Sequence, residues 1–285
     1  MEEQVDRLVK KTWEKFEDLP RSQRLLIGVS GIPGSGTTSV VSLHRPNSVR
    51  NLLTPDCFYF IGKTTLAAIV VNRINKLHHQ QSPGTSIGNP LATFIPMDGY
   101  HLSRAQLSAM PDPVSAHARR GAAFTFDGDS FLALVKELRK PLLPESRTLY
   151  APSFDHAIKD PVADDIAIAP CMRVVIFEGN YLSLGKPPWK EAAELMDELW
   201  FVDVDFEVAR KRLVGRHVKA GIAKNEEDAN KRVSENDLVN GKEIVEERLE
   251  VHELIVSKED EAWKPERQGV GEGREREVPA MAELV

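Results

Sequence analysis

The chain has 285 residues, of which 41% are hydrophobic and 28% are charged. That composition is typical of a globular protein with one substantial core, and it argues against a disordered or fibrous chain. The formal charge of −6 argues against a general grip on nucleic acid or anionic membranes and favours a small-molecule partner. Two cysteines exclude a disulfide framework, and no apolar run reaches the ~18 residues of a membrane span, so we expect a cytoplasmic protein.

The predicted elements alternate between helices and strands. Residues 1–22 form an amphipathic helix, whose apolar residues are Val5, Leu8, Val9, Trp13 and Phe16. Short apolar runs that start at 24, 92, 173, 198 and 252 are typical of strands in a parallel sheet covered on both faces. Helices are predicted at 63–79, 129–140, 190–197, 206–220 and 225–250, the last with a break near Asn240 and Gly241. This order predicts an α/β fold with a central parallel sheet of about five strands over 23–258, followed by a disordered tail at 259–285.

A phosphate-binding motif is present in two separated halves. The stretch "GIPGSG" at 31–36 follows the first predicted strand, but no lysine follows Gly36. The missing part, "GKTT", occurs at 62–65. Joined, the halves form a loop whose amides surround a phosphate, with Lys63 to neutralise charge and Thr64 to hold Mg²⁺. We therefore assign nucleotide binding to Gly31, Pro33, Gly34, Ser35, Gly36, Gly62, Lys63, Thr64 and Thr65.

Removing 37–62, an insert of 26 residues, joins the halves into one motif, because Gly36 then takes the place of Gly62. The insert shows neither a sustained helical period nor a convincing pair of strands. Back-translation allows a GT in the codon of Gly36, a branch-site-like sequence at Leu53 and Thr54, and a pyrimidine-rich tract ending in AG before Lys63. We interpret the insert as a translated intron. The alternative is a true lineage-specific loop, although long structureless loops are uncommon inside compact domains.

Two acidic residues stand at the ends of predicted strands. Asp98, in "IPMDGYHL", can accept a proton from a substrate hydroxyl, or it can simply cap a turn. Glu178, in "RVVIFEGNY", suits water or Mg²⁺ beside the phosphate loop, or it can face solvent as a strand-end acid. Both stretches match what a phosphoryl-transfer enzyme would need.

Three further segments carry polar and aromatic side chains. "ARRGAAFTFDGDSF" and the proline-bounded loop "YAPSFDHAIKDP" combine arginines, aromatic rings and acids that can clamp a polar ligand, although an arginine pair is often only a solvated face. In "RKRLVGRHVKAG", Arg212 and Arg216 are four residues apart and share a helix face. That basic helix can close over a triphosphate as a lid, or it can be a surface helix with scattered cations.

The motifs "PMDGYH", "RRGAAFTFD", "FDHAIKDP" and "FEGNYL" resemble those of the phosphoribulokinase and uridine kinase family, in particular its uridine-kinase-like or pantothenate-kinase-like members. The resemblance covers roughly 24–257. It implies a P-loop NTPase three-layer sandwich with a helical lid, dependence on ATP and Mg²⁺, and phosphorylation of a small metabolite. It implies Asp98 as the base, Glu178 near Mg²⁺, and Arg212 and Arg216 as lid residues. Acceptor binding is assigned to His101, Arg119, Arg120, Phe126, Asp127, Tyr150, Phe154, Asp155 and His156.

The leading hypothesis is an ATP-dependent kinase in which Asp98, Lys63 and Arg216 carry catalysis. The γ-phosphate would pass to a hydroxyl of a nucleoside, a sugar or a pantothenate-like metabolite. One alternative is a P-loop ATPase without a small-molecule acceptor, because fold alone does not determine chemistry. Another is a chain whose nucleotide binding is impaired by the split loop.

Overall fold

A computed structural model describes residues 2–35, 62–81 and 90–257. Gly36, residues 37–61 of the insert and the predicted tail at 259–285 lie outside these ranges. The strands are β1 (Leu25–Gly31), β2 (Ala92–Pro96), β3 (Leu149–Asp155), β4 (Asp160–Ile168), β5 (Val174–Glu178), β6 (Glu198–Asp203) and β7 (Glu253–Val256). The α-helices are α1 (Glu2–Glu17), α2 (Lys63–Gln81), α3 (Arg104–Ser108), α4 (Pro113–Ala118), α5 (Gly128–Arg139), α6 (Trp189–Glu194), α7 (Phe206–Lys219), α8 (Glu226–Arg232) and α9 (Leu238–Glu246).

Five strands form a parallel sheet in the order β2-β5-β1-β6-β7. β1 lies at the centre and every residue of β1 and β5 is buried, which explains why both read as continuous apolar runs. Alternate residues of β1 enter opposite cores: Leu26 packs on one face of the sheet, while Leu25 and Ile27 pack on the other. The predicted α/β fold with a five-stranded parallel sheet is confirmed.

Helix α1 covers one face of this sheet. Its buried stripe contains Val5, Leu8 and Val9, which join the same core as α2. Ion pairs then fasten it to the edge of the sheet: Lys11 lies 2.8 Å from both Glu198 and Glu253, and Lys15 lies 3.0 Å from Glu198. None of the described helices is long and apolar enough to span a bilayer.

The structure corrects the prediction of a proline-bounded loop at "YAPSFDHAIKDP". This segment forms an antiparallel hairpin of β3 and β4. Two prolines concealed the strands from sequence analysis, because proline has no N–H group to donate to the hydrogen bonds of a sheet and therefore argues against a strand. Pro152 lies where the register shifts between Ala151 and Ser153, and Pro161 lies near the start of β4.

The predicted helix at 225–250 is also interrupted at a different place. The break is a π-helical turn at Val233–Asp237 between α8 and α9, whereas Asn240 and Gly241 lie inside α9. Gly241 lies against the phosphate loop and the start of α7, because a Cβ there would lie 3.4 Å from side-chain atoms of both Ile32 and Phe206, an ordinary van der Waals distance. The glycine therefore lies inside α9, where the helix packs beside the phosphate loop, and it does not end the helix.

Candidate functional site

The phosphate loop leaves the carboxyl end of β1. Gly34 has φ +81°, and a Cβ there would lie 2.8 Å from the carbonyl oxygen of Ala209 and 2.9 Å from Leu213. Glycine is needed at this position both for the backbone conformation and for the close approach of α7. The first half of the split motif therefore packs directly against the helix that carries Arg212 and Arg216.

The second half of the motif meets the first through Lys63. Its Nζ donates hydrogen bonds to the carbonyl oxygen of Ile32 at 3.2 Å and to Oγ of Ser35 at 3.0 Å. Burial lowers the pKa of Lys63 to about 8, and the neighbouring Glu178 carboxylate opposes that shift. Although 37–61 separate the halves in sequence, the Lys63 ammonium lies over the loop that the sequence assigned to it.

Thr64 and Glu178 form the adjoining pair. Oγ1 of Thr64 donates to Oε1 of Glu178 at 3.0 Å, which joins the first turn of α2 to the end of β5. Glu178 is only 6% exposed, and burial raises its pKa to about 7 with a further rise from the charge of Asp98. A hydroxyl and a carboxylate at this spacing are the oxygen ligands that Mg²⁺ prefers.

Asp98 lies in a 3₁₀ turn, Met97–Tyr100, directly after β2. Its side chain is half exposed, and its charge acts on both Lys63 and Glu178. These three groups lie at the carboxyl ends of parallel strands, where open α/β sheets bind ligands.

His101 follows the same turn. Its Nδ1 lies 2.8 Å from the carbonyl oxygen of Asp98. Burial lowers the pKa of His101, while Asp98 opposes the shift. In the neutral ring Nδ1 must carry the proton, because a carbonyl oxygen only accepts, so Nε2 is left as an acceptor.

The acceptor-side residues gather around an aromatic row. Ring centroids of His101 lie 4.0 Å from Phe126 and 5.0 Å from Phe154, and Phe154 lies 5.2 Å from His156. Tyr150, at the start of the hairpin, is 52% exposed. The structure thus brings residues of two distant segments together beside Asp98.

Two of the assigned acids already have local partners. Asp127 caps α5 by accepting from the backbone N–H and the hydroxyl of Ser130, at 3.0 and 2.7 Å. Asp155 accepts from the N–H groups of Ala157 and Ile158 in the hairpin turn. These contacts stabilise local structure, and acceptor binding by either acid stays a prediction.

The two lid arginines lie beside the phosphate loop. Nη1 of Arg212 donates to the carbonyl oxygens of Gly34 and Ser35, at 3.4 and 3.3 Å, and to Oγ of Ser257 at 3.0 Å. The charge of Arg216 contributes to the lowered pKa of Lys63. Their positions fit nucleotide binding, and their roles in closure stay predictions.

The sequence analysis missed two buried amides near the site. Asn236 and Asn240 are 3% and 1% exposed, and both accept hydrogen bonds from Arg119. Their spacing of four residues in "NDLVN" was a weak signal that they share a helix face. Contact with Arg119 could not be inferred from local sequence, because more than a hundred residues separate the partners.

Comparisons with known proteins agree with this geometry. No protein-family model matches the chain. The chain is 58% identical over 159 residues to an ATP-dependent kinase-like protein, notR', of Aspergillus versicolor, covering 56% of this chain and 92% of that protein. It is 40% identical over 224 residues to C227.14 of Schizosaccharomyces pombe, provisionally named a uridine kinase, covering 79% of each.

Among solved structures, YFH7 of Saccharomyces cerevisiae has the same fold. It is provisionally described as a P-loop-containing kinase with a circular permutation. The TM-score is 0.71 at 21% identity, covering 88% of this chain and 98% of that one. YFH7 thus shows the shared fold, and the two curated relatives show that the chain belongs to the phosphoribulokinase and uridine kinase family of P-loop kinases.

Proposed function

We propose that this P-loop kinase uses Mg·ATP to phosphorylate a hydroxyl of a small metabolite. One observation carries the proposal: Lys63, the Thr64–Glu178 pair and Asp98 lie together at the carboxyl ends of β1, β2 and β5. The names of the relatives notR' and C227.14 support the use of ATP and a small acceptor.

Nucleotide binding is assigned to the phosphate loop after β1 and to the first turn of α2. The N–H groups of the loop and the positive end of α2 favour a bound phosphate, and Lys63 supplies a compact charge. To reach a phosphate, Lys63 exchanges its present contacts with Ile32 and Ser35 for charge-assisted hydrogen bonds. Arg212 and Arg216, on the neighbouring α7, stabilise charge on the phosphates.

The metal site is assigned to Thr64 and Glu178. Both supply oxygen atoms, and the buried carboxylate gains most from a neighbouring cation because burial has raised its pKa. Mg²⁺ bound there supplies neutralisation of phosphate charge. Thr64 and Glu178 would hold such an ion through their side-chain oxygens.

Asp98 is assigned as the base. It is half exposed, so an incoming hydroxyl can reach it, and it lies close enough to Lys63 and Glu178 to share the field of the phosphate site. Beside Asp98, Nε2 of the neutral His101 ring is a second group that can accept a hydrogen bond from the incoming hydroxyl. Most of the rate enhancement would come from positioning and electrostatics, since phosphoryl transfer needs little covalent help from protein.

A panel of hydroxylated metabolites tests the proposal. The full chain and a version lacking 37–62 are each incubated with Mg·ATP, and labelled product and ADP are measured. Transfer to at least one compound, lost in Asp98→Asn but kept in the exposed Asp129→Asn control, supports the kinase. ADP release that no metabolite alters, with no labelled product, would instead indicate a plain ATPase.

A further inference from the structure

Arg119 and Arg120 lie beside the aromatic row of His101, Phe126, Phe154 and His156, here called the acceptor wall. The two arginines are held by different kinds of partner. Arg120 is neutralised: its Nη2 lies 3.1 Å from the Asp160 carboxylate. Its guanidinium also donates to the carbonyl oxygens of Lys159 and Leu102, at 2.7 and 3.1 Å. This residue fastens the hairpin to the loop that precedes α5, and its charge is already compensated.

Arg119 has only neutral partners among its hydrogen bonds in the described part of the chain. Nε donates to Oδ1 of Asn236 at 2.9 Å, and Nη2 donates to Oδ1 of Asn240 at 2.8 Å. Within the described ranges no carboxylate lies in ion-pair contact with it. An amide oxygen satisfies an N–H group but leaves the positive charge uncompensated, and neither of these two hydrogen bonds uses Nη1.

The side-chain amides of Asn236 and Asn240 form a hydrogen-bonded support for the Arg119 guanidinium. Asn236 lies in the π-helical turn and Asn240 one turn later in α9, so both face the same side. Nδ2 of Asn236 donates to the carbonyl oxygen of Arg120 at 3.2 Å, and Nδ2 of Asn240 donates to Oδ1 of Asn236 at 3.3 Å. Burying two amides is favourable only when they are hydrogen-bonded, so the network fixes Arg119 in one orientation.

The support lies between the phosphate loop and the acceptor wall. Gly241, next to Asn240, packs on Ile32 of the phosphate loop. On the other side, the hydroxyl of Tyr181 donates to the carbonyl oxygen of Gly121 at 2.7 Å, and the Tyr181 ring contacts Phe126 at 5.7 Å. Arg119 is thus held beside the residues assigned to the acceptor.

The nearby acids have partners of their own. Asp237 lies 2.9 Å from Nε2 of His217, and Glu243 lies 2.9 Å from Nζ of Lys186. Neither is within ion-pair distance of Arg119. The charge of Arg120 is therefore compensated by Asp160, whereas the charge of Arg119 is available to a ligand.

We propose that Arg119 binds an anionic group, a carboxylate or a phosphate, on the hydroxylated acceptor, with Asn236 and Asn240 as positioning residues. This rests on the proposed kinase function and narrows its substrate to acidic metabolites, such as hydroxy acids or sugar phosphates, over neutral nucleosides and free sugars. A guanidinium pre-organised by neutral amides recognises such a group with a planar fork of donors and little loss of conformational entropy.

The first test detects the anion site without any acceptor. With Mg²⁺ and a non-hydrolysable ATP analogue at saturation, sulfate is titrated at constant ionic strength and the thermal midpoint is measured. We expect a saturable rise in wild type that is lost in Arg119→Gln, reduced in Asn236→Asp, and kept in Asn230→Asp. Asn230 is the matched control, because its amide is exposed and donates to the carbonyl oxygen of Glu226 within its own helix, away from Arg119. An equal rise in Arg119→Gln would mean an adventitious ion only, and either that result or the absence of any rise in wild type overturns the proposal.

The second test compares matched acceptors. Glycerate with glycerol, ribose 5-phosphate with ribose, and pantothenate with its alcohol differ mainly in the anionic group, and the pairs distinguish carboxylate from phosphate. We expect kcat/KM to be at least about tenfold higher for the anionic member of the pair that is used. Asn236→Asp should raise the KM of that acceptor about tenfold with a smaller change in kcat, because a carboxylate there neutralises Arg119.

The two tests separate the possible failures. Equal or better transfer to neutral members, without an Arg119-dependent sulfate effect, overturns the inference and leaves the kinase function intact. A positive sulfate result without transfer to any compound supports the anion site and counts against the kinase function. If Asn236→Asp left the acceptor KM unchanged, the amides would be structural only.

Discussion

The two ends of the candidate site differ in how their side chains are held. At the phosphate end, Lys63 and Thr64 are half-buried at the start of a helix, Glu178 is buried at the end of a strand, and the three bond to one another or to the loop. At the acceptor end, the residues lie on short helices, a hairpin and a turn, and many are half exposed. The sheet therefore dictates the common phosphate chemistry, whereas attached segments determine the acceptor.

The largest effect is expected where the two ends meet, at Asp98. Asp98→Asn should lower phosphoryl transfer by roughly two to four decades, because it removes general-base assistance. The affinity for Mg·ATP should change little, since Asp98 is half exposed and hydrogen-bonded to the acceptor side through its backbone. Steady-state turnover and calorimetric titration measure the two effects. Unchanged turnover would remove Asp98 from the mechanism.

Removal of 37–62 tests the phosphate end alone. A flexible loop of 26 residues costs about 3 kcal/mol to close, and about 1.4 kcal/mol corresponds to a factor of ten in affinity. We expect the shortened chain to bind Mg·ATP at least about a hundredfold more tightly than the full chain, by calorimetry. Equal affinities would show that the contact of Lys63 with Ser35 already forms a working site, and a transcript that retains the insert would argue against the intron hypothesis.

Arg216→Ala separates transition-state effects from binding. A cation near the transferring phosphoryl group acts mainly on charge that develops in the transition state, so kcat should fall roughly tenfold or more while KM changes less. Lys211→Ala, an exposed position on the same helix, is the control. A change confined to the acceptor KM would instead place Arg216 at the acceptor end.

The smallest effect is expected at the hairpin. Asp160→Asn removes ion pairs to Arg104 and Arg120, at 3.3 and 3.1 Å, and should raise the acceptor KM about fivefold without altering Mg·ATP affinity. Burial opposes the shift, but hydrogen bonds from both arginines lower the pKa of Asp160. Its contribution is therefore fully present above the ordinary carboxyl pKa, about 3.9, and is lost as pH falls through the lower folded value. Hydrogen exchange of the hairpin against pH should show this loss in wild type and not in the variant.

The sequence predicted the parts of the fold that depend on local pattern. The five apolar runs are the five strands of the sheet, and the helices at 63–79, 129–140 and 206–220 agree with α2, α5 and α7 within two residues at each end. The hairpin was missed because Pro152 and Pro161 interrupt its alternation. The short helices α3 and α4 were missed too, since their signals are a capping box at Ser103 and a capping Asp112 rather than a long apolar period.

By itself, the sequence determined that a strand, a glycine-rich loop and a lysine-bearing helix belong together, because spacing and periodicity are local properties. Only the tertiary structure decided that Lys63 reaches Ser35, that Thr64 pairs with Glu178, and that Asp127 caps a helix. It also decided that Arg119 is held by neutral amides while Arg120 faces a carboxylate. Such partners are distant in sequence, and the charge left on a side chain depends on which of them packing brings within a few ångströms.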